Sequence, residues 1–107
     1  SKKEVKKFLI KQKAQNLENF KIKEFDLVIS LGTLHNLKIF ELDKVLRDIT
    51  RISKKQYIMV ESYRNNLELF NLQCWALTAE TFLEPSEWEW LFGISDYKGD
   101  YEFIYFE

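Results

Sequence analysis

The stretch Phe25-Asp26-Leu27-Val28-Ile29-Ser30-Leu31-Gly32 constrains this chain more than any other. Its apolar residues, several of them β-branched, stand side by side instead of alternating with polar ones. That pattern belongs to a strand covered on both faces, as in a parallel sheet. Gly32 follows at once and lets the backbone turn sharply. Parallel neighbours are joined only by long crossovers, so helices are expected between the strands.

The rest of the sequence supplies them. Phe8-Leu9-Ile10 sits inside lysines and predicts a short strand over 7–13, followed by a turn. Leu42, Val45, Leu46, Ile49 and Ile52 recur at steps of three and four and form one apolar stripe of a helix. Glu41 and Asp43 open that helix and Arg51, Lys54 and Lys55 close it, each sign matched to the helix dipole. Tyr57-Ile58-Met59-Val60 reads as a second buried strand, ended by the polar group Glu61-Ser62-Tyr63-Arg64-Asn65. Leu67, Phe70, Cys74 and Leu77 then fit a second helix. Pro85 can occupy the first turn of a third. Trp88, Leu91 and Phe92 give this third helix a buried face, and Gly93 can end it. After the turn Lys98-Gly99-Asp100, the alternation through Tyr101, Phe103 and Tyr105 predicts a closing strand.

The order strand, strand, helix, strand, helix, helix, strand indicates an α/β fold with a mainly parallel sheet. The length of 107 residues, 46% of them hydrophobic, suits one domain over 1–107 and is too short for two. Three glycines and one proline beside seventeen aromatics argue for a packed core and against disorder. No apolar run approaches the ~18 residues that span a bilayer. No secretory pattern follows Ser1-Lys2-Lys3-Glu4, and the one cysteine, Cys74, permits no internal disulfide. The expected compartment is the cytosol, with no membrane partner.

Charge is unevenly distributed. Residues 1–24 hold eight lysines and three acids, whereas residues 66–107 hold nine acids and only Lys98. Such a gradient can be a solvated surface, a head-to-tail contact between chains, or a steering field. With a net charge of −1 and no continuous basic face, nucleic acid is disfavoured as a partner.

In a parallel sheet, ligands bind beyond the carboxyl ends of the strands. Attention therefore falls on Ser30-Leu31-Gly32-Thr33-Leu34-His35 and on Glu61-Ser62-Tyr63-Arg64. Here the sequence resembles the later portion of a class I S-adenosylmethionine-dependent methyltransferase. Phe25 through Ser30, with Leu34-His35-Asn36-Leu37, looks like that family's fourth strand and the Leu-His-His-Leu element after it. Leu46-Arg47-Asp48-Ile49-Thr50-Arg51-Ile52 is similar to the helix ending in an Arg-Val/Ile-hydrophobic pattern. Ala14-Gln15-Asn16-Leu17 resembles the Asp-Ala-x-x-Leu segment after the third strand. Pro85-Ser86-Glu87-Trp88-Glu89-Trp90 and Tyr97-Lys98-Gly99-Asp100-Tyr101 look like a subgroup-specific terminus.

The resemblance implies a partial Rossmann-like sheet flanked by helices, mainly parallel with its last strand antiparallel, and lacking the first two strands. The glycine-rich loop and the acidic residue that holds the ribose hydroxyls have no counterpart; the glycines are Gly32, Gly93 and Gly99 alone. Lys13 stands where the family often has the Asp that contacts adenine. The chain thus reads as the C-terminal part of a methyltransferase, with an incomplete S-adenosylmethionine site and no expected activity by itself. Loss of the first two strands would expose the edge along Leu27–Leu31, an edge open to a third strand collapsing onto it or to a second copy. The implied acceptor is a small molecule. A non-catalytic dimerisation or docking module built on the same sheet is the alternative.

By the same resemblance, Ala14 and Gln15 lie near the adenine, and Ser30, Leu31 and Gly32 border the cofactor through backbone. Thr33 borders the substrate, and Tyr63 and Arg64 could recognise an anionic or planar one, Arg64 by its forked donor; a solvated pair at the entry of a helix is the other reading. His35, the single histidine, is the candidate general base, its ordinary pKa near 6.5 suiting that work; a histidine starting a helix or packing on the sheet is the other reading. Trp75, Trp88 and Trp90 could present rings to a cation, with Trp88 placed in the core by its spacing to Phe92 and Trp90 outside it. Cys74 reads as a small buried hydrophobe. Glu84, Glu87 and Glu89 lack a histidine and do not form a metal-ligand pattern; acids early in a helix suit its dipole.

Overall fold

A computed structural model describes residues 5–10, 17–32, 34–76 and 79–107. Four strands form one sheet in the order β1-β2-β3-β4: β1 Lys7–Ile10, β2 Phe25–Leu31, β3 Ser53–Ser62 and β4 Asp100–Tyr105. Helix α1, Ile39–Ile52, links β2 to β3, while α2, Asn66–Trp75, and α3, Pro85–Ile94, link β3 to β4. Single 3-10 turns occupy Leu17–Asn19 and Leu34–Asn36.

The stripe of α1 does what its spacing predicts. Leu42, Leu46, Ile49 and Ile52 are wholly buried and Val45 nearly so, packed with Val28, Ile58 and Val60 of the sheet and Trp88, Leu91 and Phe92 of α3 in one core. The Glu41 carboxylate accepts the backbone N–H of Lys38 at 2.9 Å, satisfying a donor that the first turn leaves open. Phe8, Phe20 and Phe25 stack into an aromatic corner with centroids 5.0 to 5.2 Å apart, which fixes β1 to β2. No described helix is long and apolar enough to cross a membrane.

All four strands run parallel. The expected antiparallel last strand is therefore corrected: Tyr57 pairs with Asp100 and Ser62 with Tyr105, both numbers rising together. The cause is the connection. After β3 the chain descends through α2 and α3, and Lys98-Gly99 brings it back beside Gln56, near the start of β3. A chain returned to that end can only enter β4 in the direction of β3.

Along Leu27–Leu31 the first of the two expected arrangements is found, the preceding strand laid onto this edge. β1 pairs with β2 from Lys7↔Leu27 to Ile10↔Ser30, and β3 takes the other side. Pairing with β1 thus covers that side of β2.

β3 is longer than its apolar run. Lys54 and Lys55 are exposed, yet Lys55 stands in register with Leu27, because backbone pairing extends the strand where side chains give no signal.

α2 departs furthest. Leu67 and Phe70 are 65% and 62% exposed, and Cys74 is exposed instead of buried; Leu77 lies outside the described residues. The inward residues are Glu68 and Leu72. Asn65 accepts the backbone N–H of Glu68 at 2.9 Å, Arg64 clamps the Glu68 carboxylate at 2.6 Å, and Asn71 donates to the Phe106 carbonyl at 2.9 Å. These polar ties set the helix rotation in place of the apolar stripe.

Candidate functional site

The carboxyl ends of β2 and β3 lie side by side. Ser30 pairs with Ile58 and Leu31 with Met59, and the Gly32 N–H donates to the Met59 carbonyl at 2.8 Å. This bond carries the strand pairing one residue past β2 and holds Gly32 at φ +67°, a left-handed conformation that glycine adopts without strain. A side chain at position 32 would collide with the Glu61 carboxylate. Glu61 is only 5% exposed. The rim of the sheet thus has a buried carboxylate laid against a backbone turn.

Ser30 and Ser62 are both wholly buried, Ser62 lying four residues beyond Ile58, the partner of Ser30 in β3. The Ser62 hydroxyl donates to the Leu83 carbonyl at 2.8 Å, and the Thr81 hydroxyl donates to the Leu37 carbonyl at 2.6 Å. The segment before α3 is therefore stapled both to the end of β3 and to the start of α1. Tyr63, half-buried, has its hydroxyl pKa raised, by burial first and then by the negative charges of Glu87 and Glu84. It lies toward the first turn of α3.

Arg64 faces elsewhere. Its guanidinium pairs with Glu68 and with Glu107 at 2.7 Å, and stacks on Tyr105 with its central carbon 4.0 Å from the ring centroid. Those hydrogen bonds to Glu68 and Glu107 raise its pKa further. It fastens α2 to the last strand and extends no fork toward the rim.

The structure thus gathers Ser30, Leu31, Gly32 and Tyr63 at one end of the sheet. His35 belongs to the turn Leu34–Asn36 on this rim, its side chain lying outside the described positions, while Ala14, Gln15 and Thr33 lie outside the described residues altogether. Sequence reasoning drew attention to Glu61 and Ser62 without giving them a role, and passed over Thr81 and Leu83. A signal for Glu61 existed: it is the first charged residue after the apolar run of β3, at the strand end where parallel sheets place ligands. Among the described residues no cluster of His, Cys, Asp and Glu is arranged to hold a metal ion.

A family model described as "Methyltransferase domain" matches residues 1–60, spanning β1, β2, α1 and most of β3. The chain belongs to this family, and its parallel α/β sheet is that of a class I S-adenosylmethionine-dependent methyltransferase-like domain. Comparison with curated proteins and with solved structures finds no match.

The family generally binds S-adenosylmethionine, and the rim meets part of what that molecule demands. Glu61 places an acidic group at this rim, filling the space beside Gly32. The run of backbone N–H groups that a glycine-rich loop would aim at a carboxylate has no counterpart in a chain with three scattered glycines. The residues fit one portion of the cofactor and leave the other unserved.

Proposed function

We propose that this protein takes part in S-adenosylmethionine-dependent methyl transfer to a small-molecule acceptor, and that residues 1–107 supply the part of the fold from the third family strand onward. The observation that carries the reading is the meeting of Gly32 and buried Glu61 at the carboxyl rim of a parallel sheet in a chain of this family. S-adenosylmethionine would supply the methyl group on a sulfonium, ready for displacement. The chain's own task is then positioning and the exclusion of water, which can lower a barrier by several kcal/mol. Ser30, Leu31 and Gly32 border the cofactor, with Ala14 and Gln15 toward its adenine; Thr33 and Tyr63 face the acceptor. His35, three residues beyond Gly32, takes a proton where the acceptor must lose one. Without the glycine-rich loop, this length of chain holds the cofactor weakly and does not turn over by itself.

Amide NMR during titration with S-adenosylmethionine tests the reading. Weak binding, in the millimolar range, with shifts centred on Ser30, Leu31 and Gly32 is expected. Shifts centred elsewhere, or none at saturating ligand, would overturn it.

A second reading, a docking module without catalysis, is favoured by one feature: α2 turns Leu67 and Phe70 to solvent. Under that reading the rim ignores the cofactor, while the exposed face of α2 broadens when the chain self-associates.

A further inference from the structure

We infer that the cleft between the start of α1 and the first turns of α3 is a binding subsite for an amine, a small molecule with an apolar body and a protonated nitrogen. The assignment of that amine as the methyl acceptor rests on the methyl-transfer reading above; the subsite itself rests on geometry.

The cleft encloses about 270 Å³ and is lined by Ile39, Leu83, Ser86, Glu87 and Trp90. Its position follows from the two staples already described. Leu83 is tied through its carbonyl to Ser62 at the end of β3. Thr81 is tied to Leu37, two residues before Ile39. The cleft therefore opens beside the strand ends that carry Gly32 and Glu61.

Its walls have two characters. Leu83 is buried at 8% exposure, while Ile39 and Trp90 stand 49% and 59% exposed around it. Two large apolar side chains left in water about a buried third form a surface for an apolar body. The remaining wall is anionic. One oxygen of Glu87 accepts the Glu84 N–H at 2.9 Å, which anchors the carboxylate at the mouth of the cleft. No lining residue is basic.

These features select among ligands. A neutral ring would satisfy Ile39, Leu83 and Trp90, but it would strip water from Glu87 and return nothing. An anion would be repelled. A protonated amine can lie against the indole face and pair with the carboxylate at once, two attractions that strengthen as water leaves.

The test compares phenethylamine with 2-phenylethanol, nearly the same shape with and without the charge, by following the tryptophan indole N–H signals of the chain at low salt. The amine is expected to bind about tenfold tighter than the alcohol. Glu87→Gln should remove that preference and lower the melting temperature by only a few degrees, the lost helix-dipole contribution, because the glutamine oxygen still accepts the Glu84 N–H. Trp90→Leu should weaken both the amine and benzyltrimethylammonium, the quaternary probe, which cannot donate a hydrogen bond. Equal binding of amine and alcohol, no binding of either, or amine binding untouched by Glu87→Gln overturns the inference. Cofactor plays no part in these titrations, so the outcomes separate. Amine binding beside a rim that ignores S-adenosylmethionine removes the methyl-transfer reading alone. A responsive rim beside an indifferent cleft removes the amine subsite alone.

Discussion

The Glu61 carboxylate occupies the space that a side chain on Gly32 would need, so the end of β2 and the end of β3 are fitted to each other atom against atom. Gly32→Ala meets two penalties: a left-handed backbone costing about 1–2 kcal/mol for alanine, and displacement of a buried carboxylate. The two can be separated by a double-mutant cycle. In a Glu61→Ala background the collision is gone and only the backbone penalty remains. Urea unfolding should show Gly32→Ala costing less there than in the native background. Equal costs in both would mean that the carboxylate does not press on position 32.

Cys74 provides a quick check on the orientation of α2. The thiol is exposed, although its sequence spacing with Leu67 and Phe70 points to burial. A disulfide reagent such as dithionitrobenzoate should therefore modify the native chain about as fast as the unfolded one, whereas a buried thiol would wait for unfolding. Reaction only upon denaturation would restore the inward stripe and rotate α2.

The contrast between α1 and α2 shows what the sequence could and could not convey. α1 was legible because its burial is a matter of apolar spacing, and Leu42, Val45, Leu46, Ile49 and Ile52 all lie in the core. The rotation of α2 is decided by Arg64, Asn65, Asn71 and the chain end at Phe106 and Glu107, partners up to 43 residues apart that no local pattern links. The direction of β4 was hidden for a similar reason. Alternation of Tyr101, Phe103 and Tyr105 announces a strand but carries no sign of which end it enters from. At the rim, strand-end position pointed to Ser30 through Gly32 and to Glu61 through Arg64, but after β3 a role was read only for Tyr63 and Arg64. Glu61 was given no role because a charged residue reads as a strand terminator, and only the fold reveals that Gly32 makes room for it.

The Arg64–Glu68 pair should give the chain a pH signature. Glu68 is 4% exposed and its carboxyl pKa is lowered, chiefly by the hydrogen bond from Arg64. A group with a depressed folded pKa contributes stability that is complete above its unfolded value, about 4.3 for Glu, and lost as pH falls through the folded one. Melting temperature should thus decline as pH falls from about 5 toward 3. Arg64→Met removes the partner and should flatten that part of the decline while lowering stability at neutral pH. The same slope in both proteins would mean that other carboxylates govern acid unfolding.

Gly99 tests the parallel entry of β4. A side chain there would approach the Gln56 Oε1 and the Tyr97 hydroxyl to 2.6 Å each. Neither neighbour yields readily: the Gln56 amide donates to the Ser53 carbonyl and hydroxyl, both at 3.0 Å, and the Tyr97 hydroxyl donates to the Asp100 carbonyl at 2.6 Å. Gly99→Ala must break one of these ties or push β4 outward, a loss of about 1–3 kcal/mol by the usual cost of overpacking. Gly93→Ala serves as the control, since a side chain there meets nothing within 4 Å and alanine favours the helix. Chemical denaturation should find the first variant weakened and the second unchanged or strengthened. An antiparallel β4 would remove Gly99 from Gln56, and Gly99→Ala would then cost no more than a surface substitution.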